Sequence, residues 1–110
     1  MRKVIKDYEV VYPNAIRVQK GSSLLILREE TNPAWAGWVW CRSEDGQEGW
    51  ISIDFMEIDG IKAKMNRDYD AREVAVQVME TVQVLKEEHG WSWVKKNDGS
   101  EGWIPSENLG

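Results

Sequence analysis

Short runs of alternating or wholly apolar residues, broken by glycine and paired charges, recur along this chain, and no 3.6-residue period is sustained. Val74-Ala75-Val76-Gln77-Val78 alternates apolar with small or polar positions, as a half-buried strand does. Residues 81–85 and 37–41 are runs of branched and aromatic side chains and predict two more strands. Asp45-Gly46 and Asp98-Gly99 lie between such runs. Glycine accepts the positive φ of a tight turn, so both pairs predict hairpins. Gly49 and Gly102, each just before a tryptophan, predict a bulge or a close backbone approach. Residues 57–61 read as a linker too short to let two halves wander independently. The pattern as a whole predicts an all-β chain.

The runs are duplicated. Trp38, Trp40 and Trp50 return as Trp91, Trp93 and Trp103 at a shift of 53, and nine of the fifteen positions from Gly37 to Ile51 are identical to their counterparts. Leu24-Leu25-Ile26-Leu27-Arg28-Glu29-Glu30 matches Val82-Gln83-Val84-Leu85-Lys86-Glu87-Glu88 at 58, and Asp7-Tyr8-Glu9 matches Asp68-Tyr69-Asp70 at 61. The extra residues of the first copy fall between element-like segments, where insertions are tolerated. Three collinear matches identify a tandem repeat. Each half would hold about five strands, and closing such a sheet into a small barrel removes most of its unpaired edges. The expected architecture is all-β: two tandem small barrels, residues 1–58 and 61–110, packed through a short linker. A unit of roughly 60 residues buries only about 60% of its unfolded surface, so the halves are expected to pack on each other.

Composition narrows the function. Lysine plus arginine number 14 against 19 acids, a net charge of −5, which argues against phosphate neutralisation on nucleic acid and against anionic membranes. No apolar run approaches the roughly 20 residues of a membrane helix. Charges in Met1-Arg2-Lys3-Val4-Ile5-Lys6-Asp7 stand where an export signal needs apolar residues. One cysteine, Cys41, precludes an internal disulfide and suits a reducing compartment, so a cytoplasmic location is expected. Cys41 aligns with Val94 and reads as a small core residue. His89, the only histidine, has no metal-ligand spacing around it, and no nucleophile–base pair can be drawn. Glu29-Glu30 and Glu87-Glu88 fall at strand ends, where charge guards edges. Neither an enzyme nor a cofactor is expected. Seven tryptophans in 110 residues are the distinctive chemistry.

Taken in order, these residues resemble Src-homology-3 (SH3) domains of a bacterial or archaeal tandem variant. The second half supplies Asp68-Tyr69, Glu73-Val74-Ala75-Val76, Val82-Gln83-Val84-Leu85, Gly90-Trp91, Gly99-Ser100-Glu101-Gly102 and Pro105-Ser106. The first supplies Asp7-Tyr8, Ile16-Arg17-Val18-Gln19-Lys20-Gly21, Gly37-Trp38 and Gly46-Gln47-Glu48-Gly49. The resemblance implies an aromatic groove between the long RT loop and the loop before the tryptophan strand, receiving an extended, proline-rich peptide. Carried over by position, the first groove would use Tyr8, Trp38 and Phe55, and the second Tyr69, Trp91 and Pro105. Trp35, in an insertion without a counterpart, and Tyr12 on the opposite loop would rim the first groove. The chain departs from the family at Lys6 and Arg67, where a tyrosine is usual, at Ser52 for the groove proline, and at Asn108 for the closing tyrosine.

The expectation is therefore a non-enzymatic ligand-binding or adaptor module for a protein or peptide partner, monomeric or weakly homodimeric. Two alternatives stand beside it. One is an aromatic cage for a cationic group. The other is a structural role, in which the aromatic surfaces hold repeats or copies together. Cell-wall recognition would require secretion.

Overall fold

A computed structural model describes residues 1–11 and 15–110. Its strands are β1 (Arg2–Lys3), β2 (Arg17–Val18), β3 (Ser23–Glu29), β4 (Trp38–Ser43), β5 (Glu48–Ser52), β6 (Met56–Asp59), β7 (Lys62–Met65), β8 (Tyr69–Asp70), β9 (Thr81–Glu88), β10 (Trp91–Lys95) and β11 (Glu101–Pro105). Short 3-10 turns cover Pro33–Trp35, Ile53–Phe55 and Ser106–Asn108, and no α-helix occurs among the described residues. The chain is all-β, as the patterning predicts. The pairings form open sheets rather than closed barrels: β1-β9-β10-β11, β2-β8 and β5-β4-β3-β7-β6.

The compact units do not follow the repeat boundaries 1–58 and 61–110. One unit combines Met1–Pro13 with Arg72–Gly110, and the other is the contiguous stretch Asn14–Ala71. The cause lies in residues 57–61, which form a hairpin instead of a linker. Asp59 pairs with Lys62, leaving Gly60 and Ile61 as a two-residue turn, and Gly60 has φ +64°. A turn that short keeps β6 and β7 in one sheet. β7 then fills the place beside β3, and the N-terminal arm is left to fill the equivalent place beside β9.

The two arms dock alike. Arg2 opposes Val82 and Lys3 opposes Thr81, while Ala63 opposes Leu24 and Lys64 opposes Ser23. Farther on, Tyr8 bridges Val76 and Tyr69 pairs with Val18. Each of these pairs has its counterpart at the same shifts, 61 and 58, that relate the sequence copies. The arms have changed places without changing register.

Each unit has its own core. In the first, Val4, Val76, Val82, Val94, Ile104 and Leu109 are buried together, with Tyr8, Val74 and Val84 packed against them. In the second, Ile16, Leu24, Cys41, Ile51 and Met65 are almost wholly buried. Cys41 is a core residue, and burial pushes its thiol from 9.0 up to about 12.

Residues 74–78 do not form the expected strand. Tyr8 and Val76 exchange main-chain hydrogen bonds, but the Val78 N–H turns aside to Asp7 Oδ1 at 2.7 Å, and Met79 enters a turn at φ +80°. Isolated bridges at Glu73 and Val76 are what remains. The close approach expected at Gly49 and Gly102 is present. A Cβ on Gly49 would lie 2.6 Å from Ile16 Cγ2, and one on Gly102 would lie 2.7 Å from the Glu73 carbonyl carbon.

Candidate functional site

The change of arms decides which aromatics meet. Tyr8 lies against Trp91, with ring centroids 5.8 Å apart and planes at 83°. Tyr69 lies against Phe55 at 5.2 Å and 48°. The expected groupings are Tyr8–Trp38–Phe55 and Tyr69–Trp91–Pro105; Tyr8, Trp91 and Pro105 fall in one compact unit, and Tyr69, Trp38 and Phe55 in the other. The cause is the hairpin at Gly60-Ile61, which sends each tyrosine to the other half's strands.

In the first unit Tyr8 and Trp91 are both half-buried. Tyr8 is held at both ends. Its main chain exchanges hydrogen bonds with Val76, and its hydroxyl donates to Glu73 Oε1 at 2.5 Å. The same carboxylate oxygen accepts the Val11 N–H at 3.0 Å. Trp91 stands opposite Pro105 on β11, and Pro105 is buried. Asn108 takes the place of the closing tyrosine and instead donates from Nδ2 to the carbonyls of Lys6 and Asp7, at 3.2 and 3.1 Å. An amide there ties down the docked arm where an aromatic would extend the groove. The Ser92 and Ser106 hydroxyls are hydrogen-bonded at 2.7 Å, and His89 Nε2 lies 3.2 Å from Glu88 Oε2.

The second unit presents its aromatics differently. Trp38, Phe55 and Tyr69 are only 5%, 4% and 8% exposed. The Tyr69 hydroxyl donates to the Trp50 carbonyl at 3.3 Å, and the Arg67 guanidinium sits 4.7 Å above the Phe55 ring. Trp38 faces Ser52, a buried cap residue, where a groove proline would stand. Trp35 ends the turn Pro33–Trp35, capped by Asn32, and is half-buried. Tyr12 lies outside the described residues.

The remaining tryptophans form two matching clusters. Trp40 and Trp50 meet edge-to-face at 5.2 Å, with Arg28 5.0 and 5.6 Å from their centroids. Trp93 and Trp103 meet at 5.5 Å, with Lys86 5.3 and 5.5 Å away, and Arg72 also lies 5.5 Å over Trp93. A bulge sets each cation in place. Ile26 opposes Cys41 but Arg28 opposes Trp40, so Leu27 is the extra residue; Leu85 plays that part before Lys86. Both bulged leucines are exposed. The Trp40 indole N–H donates to Glu48 at 2.8 Å and the Trp93 indole N–H to Glu101 at 2.9 Å. The Trp40 bond, with Arg42 beside it, holds the Glu48 carboxyl below its ordinary value. Hydrogen bonds from Ser43 and Gln47 do the same for Asp45 in the turn, and those from Ser100 for Asp98.

Sequence reasoning missed Glu73 as the clamp on Tyr8, Asn108 as the arm's tie, and Arg28 and Lys86 as aromatic-bound cations. The basic residue at equivalent places in both copies, on the strand beside the first of the paired tryptophans, was a readable sign of the last. The clamp and the tie depend on the change of arms and left no local sign.

The profile of the variant SH3 domain matches residues 2–59. No curated protein and no solved structure matches the chain significantly. A peptide-binding module without catalytic chemistry is what such a domain implies. With more than half of its residues matched, the chain belongs to the variant SH3 domain family.

Proposed function

We propose that this chain is a cytoplasmic, non-enzymatic adaptor that binds an extended, proline-rich peptide on Tyr8 and Trp91, with the buried Pro105 backing the tryptophan strand. The second half is also of SH3 type in this reading, and the matching Trp–Trp–cation clusters support that. The observation that carries the site is the half-exposed Tyr8–Trp91 pair, fixed at 5.8 Å with its tyrosine clamped at main chain and hydroxyl. Rings held apart at a set distance reward a ligand whose own shape is already set, and a polyproline II segment loses little entropy on docking. Trp38, Phe55 and Tyr69 are too buried to receive a ligand as they stand. The paired tryptophans on the sheets already hold Arg28 and Lys86, which speaks against a vacant cage for a foreign cation.

Amide shifts during titration with a proline-rich peptide carrying one lysine or arginine test the reading. Shifts should centre on Tyr8, Trp91 and Ser106 and vanish in a folded Trp91→Ala variant. Silence at these residues at millimolar peptide would remove the proposal.

A further inference from the structure

The first unit is assembled from two pieces of chain separated by the contiguous unit Asn14–Ala71. Its N-terminal piece sits as a docked ligand would. Val4 is fully buried among Val76, Val82, Val94, Ile104 and Leu109. The Val4 N–H donates to the Glu80 carbonyl at 2.8 Å, and the Val4 carbonyl accepts from Met79 at 2.9 Å. Ile5 donates to the Asn108 carbonyl, and the Lys3 carbonyl accepts from Gly110. The side chain of Asn108 grips the Lys6 and Asp7 carbonyls, and Glu73 grips Tyr8 and Val11. All of these partners lie within residues 73–110. None of the contacts requires arm and acceptor to share a polypeptide.

We propose that the acceptor formed by residues 73–110 also takes the arm of a second copy of this chain, giving a reciprocal, arm-swapped dimer. The occupant is set by what already fills the place: an identical arm reproduces Val4, the Tyr8 clamp and the Asn108 tie without a new contact. Reciprocal exchange closes at two copies, because each chain has one N-terminal arm and one acceptor of residues 73–110 for it. The fold has already traded arms once. Ala63 and Lys64 lie beside β3 in the register that Arg2 and Lys3 keep beside β9, so docking tolerates a change of donor. Asn14–Ala71 is contiguous, and its buried residues Ile16, Leu24, Cys41, Ile51 and Met65 all lie outside the arm. Within one chain the covalent connection raises the effective concentration of the arm, so the monomer wins in dilute solution. The dimer accumulates when chains fold in crowded solution, and it persists because leaving requires Val4 to come out of the core.

The 110-residue chain is unfolded in urea, refolded at about 5 µM and about 500 µM, and diluted to equal concentration for light-scattering mass. Dimer should rise severalfold with refolding concentration, survive the dilution, and be absent from Val4→Asp. A mixed experiment guards against a variant that merely misfolds. Val4→Asp has a spoiled arm and a sound acceptor, whereas Val94→Asp has the reverse. Refolded together they should yield a heterodimer that neither yields alone. Monomer at every concentration, no heterodimer in the mixture, or a dimer unaffected by Val4→Asp would each overturn the proposal.

Discussion

Substituting alanine for Gly102 tests the link between backbone packing and the Tyr8 site. A Cβ at this position would lie 2.7 Å from the Glu73 carbonyl carbon, 2.8 Å from the Val74 nitrogen and 3.0 Å from the Glu73 oxygen. These are main-chain atoms in a segment already fixed by Trp103, whose N–H donates to Arg72 and whose carbonyl accepts from Val74. A side chain could rotate away; this segment must move as a whole. Forcing one methyl into a packed site costs about 1–3 kcal/mol, and the absence of a rotatable neighbour puts Gly102→Ala at about 2–3. The counterpart Gly49→Ala meets the Ile16 side chain instead, at 2.6 Å from Cγ2, and should cost less, about 1–2 kcal/mol. The displaced residue is Glu73, the clamp on Tyr8 and Val11, so peptide affinity should fall with Gly102→Ala and hold with Gly49→Ala. Urea unfolding followed by tryptophan emission gives the first quantity and peptide titration the second. A Gly102→Ala chain within about 0.5 kcal/mol of the parent would refute the packing argument. Equal loss of binding in both variants would refute the role of Glu73.

Further outcomes follow from single features of the fold. Gly21 at φ +90° and Met79 at φ +80° occupy equivalent turns, and nothing lies within 4 Å of a Cβ on Gly21, so Gly21→Met should destabilise by about 1 kcal/mol from backbone strain alone in thermal unfolding. Cys41, raised to about 12, should resist thiol reagents at pH 8 until urea is added; unfolded thiol ionises near 9 while the native one does not, so its contribution to stability is lost as pH rises from about 9 toward 12. Glu48 is lowered, which stabilises the native state above the ordinary carboxylate range and is lost as pH falls through it; Glu48→Gln should flatten that acid limb in pH-dependent urea unfolding. Inserting about ten Gly/Ser residues between Gly60 and Ile61 frees β7 from its hairpin, and Tyr8 should then give nuclear Overhauser contacts to Phe55 in place of Trp91; unchanged contacts would show that the turn does not dictate the pairing.

Local features were legible in the sequence because they depend on neighbours along the chain. The Asp45-Gly46 and Asp98-Gly99 turns have their glycines at φ +87° and +91°, as hairpin geometry demands. Cys41 is buried where its alignment with Val94 put it, and Gly49 and Gly102 lie under a crossing segment. The strand expected over 74–78 failed because alternation records which side chains are buried, and Val76 is, without recording whether the main chain finds a ladder. Asn108 and Ser52 registered only as departures from a family pattern. Their roles, an amide on two carbonyls and a buried cap, needed coordinates to be seen.

The grouping of the aromatics was hidden for a different reason. Both copies carry the same arm pattern and the same acceptor pattern, so composition, periodicity and motif order are identical whether each arm serves its own copy or the other. Even the docked register is the same, Tyr8 to Val76 and Tyr69 to Val18. What separates the two arrangements is the length of one connection. Five residues read as a linker permit either; two residues of turn between Asp59 and Lys62 permit one. That turn brings Trp91 the tyrosine Tyr8 in a unit whose position 108 is Asn, while Phe55 packs on Tyr69 and both are buried, as Trp38 is. Two similar copies are thereby unequal, one with its tyrosine and tryptophan half-buried and one with them packed away, through the exchange of tyrosines together with the difference between Asn108 and Phe55.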